Sequence, residues 1–153
     1  EYGCMSDRDY GWCGMEINTE FTGFTAGSFD LLHAGHILML KEASEQCGHL
    51  IVGLHVDPSV ERFYKNKPIQ SLEERMIQLE GCVYVDEIHV YNTEAELESL
   101  LNTLPFDIRI IGEEYKGKAF TGSAHWWNEI YYNSRDHKYS TTELRERIIN
   151  ESL

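Results

Sequence analysis

The chain runs Gly27-Ser28-Phe29-Asp30-Leu31-Leu32-His33-Ala34-Gly35-His36 directly after a short β-type segment and directly before a helical one. A strand, a glycine turn and a helix N-terminus form an anion site. Backbone N–H groups without intrahelical partners and the positive end of the helix dipole converge there. His33 and His36 stand three residues apart around the helix start, so both imidazoles can face the same bound phosphates. Gly35 between them lets the backbone approach a ligand closely. The same residues admit two other readings: histidines that merely cap a helix, or a metal site, which needs three or four ligands in closed geometry.

Working outward, Phe21 to Ala26 reads as a β-strand and Ala34 to Cys47 as a helix, through the spacing of Ile37, Leu40, Lys41 and Ser44. Leu50 to Val56 is an apolar run suited to a buried strand and is closed by Asp57-Pro58. Ser71 to Glu80 is helical, with Ser71 and Glu74 in capping-box spacing. Strands follow at Glu87 to Tyr91, Asp107 to Ile111 and Glu129 to Tyr132, and helices at Glu94 to Thr103 and Thr141 to Asn150. Strands alternating with helices predict an α/β fold: one Rossmann-like three-layer domain with a mainly parallel sheet and helices on both faces. In such folds ligands bind beyond the carboxyl ends of the strands, where the motifs of this chain fall. Residues 1–18, rich in Gly, Asp and Cys, read as an irregular N-terminal extension, and residues 19–153 as the domain.

Composition narrows the function. A chain of 153 residues with 42% hydrophobic and 25% charged content has an ordinary globular profile and one core's worth of length. Its formal charge of −13 argues against a broad nucleic-acid or membrane-binding face. No apolar run is long enough to span a bilayer and no signal-like segment opens the sequence, so a cytoplasmic location is expected. The four cysteines, Cys4, Cys13, Cys47 and Cys82, include no C-x-x-C pair. Cys4 and Cys13 leave a disulfide or metal role open, whereas Cys47 and Cys82 read as small core residues.

Three segments together resemble the cytidylyltransferase-like family of nucleotidyltransferases. The first is the ten-residue stretch from Gly27 to His36. The second, Ile111-Gly112-Glu113-Glu114-Tyr115-Lys116-Gly117-Lys118, is similar to the family's Gly-Asp-Asp-Trp-x-Gly-Lys segment. The third, Arg135-Asp136-His137-Lys138-Tyr139-Ser140-Thr141-Thr142, is similar to Arg-Thr-x-x-Ile-Ser-Thr-Thr ahead of a helix. Tyr84-Val85-Asp86-Glu87 and Arg75 match further family positions, and the resemblance runs from about Phe21 to Ile149. Three departures stand out: Glu113 and Glu114 replace an Asp pair, Asp136 replaces a Thr beside Arg135, and Val83 replaces a basic residue.

The resemblance implies transfer of a nucleotidyl group to a phosphorylated small molecule with release of pyrophosphate. His33, His36, Lys65 and Arg135 are implied to be catalytic. Gly27, Ser28, Phe29, Gly35, Lys67, Gly112, Glu113, Ser140 and Thr141 are implied to bind the nucleotide. Asp30, Asp57 and Arg75 are implied to bind the acceptor, with Trp126 and Trp127 as further candidates to line its pocket. Mg²⁺ is expected to accompany the triphosphate through few protein ligands, Asp30 orienting the acceptor or a Mg²⁺-bound water. The expected substrates are CTP and glycerol 3-phosphate or a similar polyol phosphate, since Ser-Thr-Thr after an Arg favours the cytidylyl branch. Adenylyl transfer from ATP is the alternative, because adenylyltransferases share the His-x-Gly-His core. A catalytically silent nucleotide-binding module is a third reading. A homodimer is expected, without nucleic-acid or membrane partners.

Overall fold

The structure, a computed structural model, describes residues 21–123 and 129–151. The expected N-terminal extension, Cys4, Cys13, Trp126 and Trp127 lie outside the described residues. Five strands, β1 (Thr22–Gly27), β2 (His49–His55), β3 (Glu87–Tyr91), β4 (Ile108–Gly112) and β5 (Glu129–Asn133), alternate with four helices. These are α1 (Ala34–Glu45), α2 (Leu72–Glu80), α3 (Glu94–Thr103) and α4 (Thr141–Glu151). The strands pair in the order β3-β2-β1-β4-β5, all parallel. The chain therefore runs outward from β1 through β2 to β3, then returns to the other side of β1 with β4. That reversal leaves a crevice at the carboxyl ends of β1 and β4.

The expected elements are all present, with ends displaced by one or two residues, as befits frayed termini. Helix starts are chemically defined. On α2, Ser71 Oγ accepts the Glu74 amide at 3.1 Å and Glu74 returns a carboxylate oxygen to the Ser71 amide at 3.0 Å. On α3, the Thr93 hydroxyl accepts the Glu96 amide at 3.1 Å. A short 3-10 turn at Glu113–Tyr115, which periodicity did not predict, follows β4.

Residues of β2 alternate between the two faces of the sheet. Leu50, Val52 and Leu54 pack with Leu40, Ala43 and Cys47 of the α1 segment and with Leu79 of α2. Ile51 faces the other way, towards Phe24, Tyr91, Leu97, Leu101 and Phe106. Burial on both faces is why this strand reads as an unbroken apolar run. Cys47 is fully buried and donates its thiol to the Ala43 carbonyl at 3.4 Å, the core role expected of it. Cys82 packs against the same core. No helix among the described residues is long and apolar enough to cross a membrane.

Candidate functional site

His33 is the N-cap of α1. Its Nδ1 accepts the Gly35 amide at 3.0 Å, and its own amide donates to His36 Nδ1 at 3.1 Å, a capping box built from two histidines. The helix-cap reading of the pair is thus observed directly. Each Nδ1 is an acceptor, so each neutral ring carries its proton on Nε2. His33 Nε2 is 3.0 Å from Thr141 Oγ1 and therefore donates to it. The rings lie 3.9 Å apart between centroids at 38°. Burial, then the neighbouring His33 and Arg135, lowers the His36 pKa to about 4, while Asp30 opposes the shift. Burial and His137 lower that of His33 as well. Gly35 is obligatory here, since a Cβ would sit 2.8 Å from His33 Cε1 and 3.0 Å from His137 Cε1.

The His33–Thr141 bond brings the N-terminus of α4 to that of α1. Ser140 Oγ accepts the Glu143 amide at 3.0 Å, so α4 is capped in turn. Two helix N-termini, both preceded by hydroxyl or imidazole caps, converge on one place. Two dipole ends can stabilise a phosphate there without adding a full positive charge.

The turn ahead of α1 is strained and held. Phe29 and Leu31 have φ of 49° and 51°, a left-handed conformation unusual for side chains of this size. Asp30, buried between them, accepts the amides of Ile69 and Gln70 at 2.8 and 2.9 Å and Arg145 Nη2 at 3.1 Å. The Leu31 amide donates to Gln70 Oε1 at 2.7 Å. Both oxygens of Asp30 are thus committed to pinning the 56–70 loop to the turn, not open towards an acceptor.

Arg75, expected to bind the acceptor, is placed in the interior of the fold. It is 2% exposed, and its guanidinium donates to the carbonyls of Gln70, Ser28, His55 and Val56 at 2.6–3.2 Å. Because carbonyls at the ends of β1 and β2 need a buried donor, this arginine ties those ends to α2. Asp57 also turns inward on its own loop, accepting the amide and hydroxyl of Ser59 at 2.9 and 2.5 Å.

A cleft of about 800 Å³ opens over the carboxyl edge of the sheet. Gly27, Ser28, Lys65, Gly112, Glu114 and Arg135 from the sequence motifs line it. Arg135 is bound by both oxygens of Glu114, at 3.0 Å from Nε and 2.6 Å from Nη2, and its amide donates to Glu113 Oε1 at 2.9 Å. This carboxylate holds the Arg135 pKa up, opposing burial. Glu114, and not the adjacent Asp136, is therefore the counter-ion of Arg135. Gly112 makes the fold-back possible, since a Cβ there would collide with the Glu114 carboxylate. Lys65 is exposed, with Nζ 5.9 Å from the Tyr64 ring centroid. Lys67 is also exposed and contributes its carbonyl to Arg145 Nη2 at 3.0 Å. Among the described residues no three His, Cys, Asp or Glu side chains cluster in a way that fits a metal ion.

Two site residues escaped sequence reading. Arg145 joins α4 to Asp30 and to the 56–70 loop, and its position in an exposed helical pattern carried no signal. His137, in the variable part of its motif, packs against Gly35 with both ring nitrogens buried and unpartnered.

The cytidylyltransferase-like family model matches residues 24–147. Curated relatives include the bifunctional protein HldE of Wolinella succinogenes, 42% identical over 102 residues, covering 65% of this chain and 21% of that protein. The bifunctional protein HldE of Helicobacter pylori is 36% identical over 135 residues, covering 88% and 29%. The chain thus spans between a fifth and a third of the length of these relatives. Among solved structures, the lipopolysaccharide core biosynthesis protein of Thermoplasma volcanium GSS1 shares the fold, with a TM-score of 0.53 and 22% identity over 87% of this chain and 89% of that one. The chain belongs to the cytidylyltransferase-like family of nucleotidyltransferases.

Proposed function

We propose that this member of the cytidylyltransferase-like family transfers the adenylyl group of magnesium-bound ATP to the phosphate of a phosphorylated sugar. The relatives reported above are HldE proteins and not glycerol-3-phosphate cytidylyltransferases, which moves the adenylyl reading ahead of the cytidylyl one. The expected closeness to glycerol-3-phosphate cytidylyltransferases is set aside for that reason. The observation that carries the chemistry is the pair His33 and His36. Their Nδ1 atoms are occupied, and the Nε2–H of His33 lies where the N-termini of α1 and α4 meet.

In this reading an oxygen of the acceptor phosphate attacks the α-phosphorus in line. The new P–O bond forms as the bond to the β-phosphate bridging oxygen breaks, and pyrophosphate leaves with the electron pair. No protein nucleophile takes part, so the chain's work is positioning and neutralising developing charge. His33 exchanges the Thr141 hydroxyl for an α-phosphoryl oxygen, and both imidazoles then donate Nε2–H to the α-phosphoryl group. A neutral donor favours the transition state without trapping the ground-state triphosphate as tightly as a cation. Arg135 turns from Glu114 to the phosphates, and Lys65 reaches them from the 56–70 loop. Gly27, Ser28, Phe29, Gly35, Gly112, Glu113, Ser140, Thr141 and Lys67 shape the nucleotide side. Asp30 and Asp57 act by holding the turn and the loop in place.

Cytidylyl transfer remains the second reading, favoured by Ser140-Thr141-Thr142 after Arg135. The setting proposed is a cytoplasmic homodimer. Pyrophosphate release is measured with ATP against CTP over a panel of hexose and heptose 1-phosphates and glycerol 3-phosphate. Turnover with ATP and a sugar 1-phosphate is expected. Turnover confined to CTP and glycerol 3-phosphate would overturn the proposal.

A further inference from the structure

The cleft is lined by a second paired arginine, which follows β2, whereas Arg135 follows β5 on the other side of β1. Arg62, on the 56–70 loop, places Nη2 2.5 Å from Glu94 Oε1. Glu94 opens α3, and its other oxygen accepts the Thr121 hydroxyl at 2.6 Å, while its amide donates to Glu61 Oε2 at 3.2 Å. Arg62, Glu94 and Thr121 all line the cleft, with Tyr91 and Arg109 beside them. Three chain segments therefore meet in one carboxylate: the loop after β2, the start of α3 and the stretch after β4.

The Arg62 and Glu94 side chains are 32% and 23% exposed. Both side chains remain partly accessible from the cleft they line. A guanidinium in a cleft is suited to the two oxygens of a phosphate. The Thr121 hydroxyl keeps Glu94 in place whether or not Arg62 is bound to it. The arrangement repeats that of Arg135 with Glu114 across the cleft. A nucleotidyl transfer needs two phosphorylated substrates, and the cleft offers one glutamate-held arginine on each side.

We propose that Arg62 is the ligand of the acceptor's phosphate and that Glu94 is the resting counter-ion which this phosphate displaces. This rests on the nucleotidyl-transfer reading and names a specificity determinant within it. Glu94 keeps Arg62 extended towards the cleft in the absence of acceptor. It also disfavours acceptors whose anionic group is too weak to replace a carboxylate. The acceptor class selected is a phosphate monoester dianion over a carboxylate or a neutral sugar.

The test is a titration of glucose 1-phosphate, followed by ³¹P NMR, into protein saturated with α,β-methylene-ATP and Mg²⁺. Wild type, Arg62→Ala, Arg62→Lys and Glu94→Gln are compared. Arg62→Ala is expected to weaken sugar-phosphate binding by about tenfold or more, the scale of losing a charge-assisted hydrogen bond. Arg62→Lys recovers part of it. Glu94→Gln, which removes the competitor and keeps a hydrogen-bonding partner for Thr121, tightens it by about threefold or more. All three variants keep the wild-type affinity for the analogue. Unchanged sugar-phosphate affinity in Arg62→Ala, weaker affinity in Glu94→Gln, or wild-type protein that holds the analogue but not glucose 1-phosphate would each overturn the inference. Failure of the analogue itself to bind wild-type protein would instead overturn the nucleotidyl-transfer reading on which it stands.

Discussion

His33 Nε2 donates to the hydroxyl of Thr141 at 3.0 Å, across 108 residues of sequence. This bond fixes the proton of His33, because Nδ1 already accepts the Gly35 amide. It also sets the distance between the two helix N-termini. Thr141→Val removes the acceptor and keeps the shape of the side chain. The loss expected is about 1 kcal/mol of stability, the net worth of one such bond. Turnover falls by about tenfold as His33 loses its fixed orientation, whereas Thr141→Ser retains most of it. Urea unfolding beside steady-state pyrophosphate release checks both.

His36→Ala is expected to lower turnover by about 10²–10³-fold, the scale for losing one preorganised donor to developing charge. Nucleotide affinity falls far less, because the remaining amides and Arg135 still bind the triphosphate. The measurement is single-turnover kinetics at saturating nucleotide, paired with calorimetric titration of ATP. A folded variant with unchanged turnover removes His36 from the chemistry.

The positions of these residues were legible in sequence to unequal degrees. The α/β order came from periodicity because β2 is buried on both faces and α2 carries a complete capping box. Glycine and histidine at the start of α1 were readable because backbone geometry itself demands them. Arg75 was legible as a motif position but not in what it touches: its guanidinium serves four main-chain carbonyls, a demand of the fold that a motif match does not distinguish from ligand binding. The Glu114–Arg135 and Glu94–Arg62 pairs were hidden for another reason. Each joins residues 21 and 32 positions apart, and local pattern carries no information about such contacts.

Arg75 gives a direct contrast between fold and ligand. Arg75→Leu keeps bulk but leaves several buried carbonyls without a donor. Its expected cost is about 3 kcal/mol or more, since each orphaned buried group costs about 1–3 kcal/mol. If Arg75 bound the acceptor instead, stability would hold and the acceptor KM would rise. Chemical denaturation together with acceptor saturation curves separates these results.

Glu114 and Asp136 make opposite predictions about Arg135. Arg135→Lys keeps the charge and loses the planar fork, so nucleotide affinity should fall by about tenfold. Asp136→Thr should change that affinity little, because Glu114 supplies the contacts that orient Arg135. Glu114→Gln should tighten binding if phosphate must displace the carboxylate. Calorimetry of ATP with all three variants decides the matter. An Asp136→Thr effect as large as that of Arg135→Lys would return the counter-ion role to Asp136.

The pH dependence of stability follows from His36. Its pKa in the folded protein is about 4, against an ordinary value of 6.5, chiefly because burial disfavours the charged ring. Between those values the unfolded chain holds more proton at this residue than the native one. Stability therefore rises with pH across the window, and the contribution of His36 is complete above about 6.5. As pH falls towards 4 that contribution is progressively lost, and below the folded pKa it is gone. The lowered pKa of His33, also caused first by burial, acts in the same sense. His36→Asn keeps an acceptor, Oδ1, for the His33 amide without a titrating group. Wild-type protein should lose more stability than this variant between pH 6.5 and 4, and the two should run parallel above pH 7. Urea denaturation at half-unit pH steps measures the difference directly. Parallel curves throughout would mean that His36 titrates alike in both states, and that its ring is not held neutral by the fold.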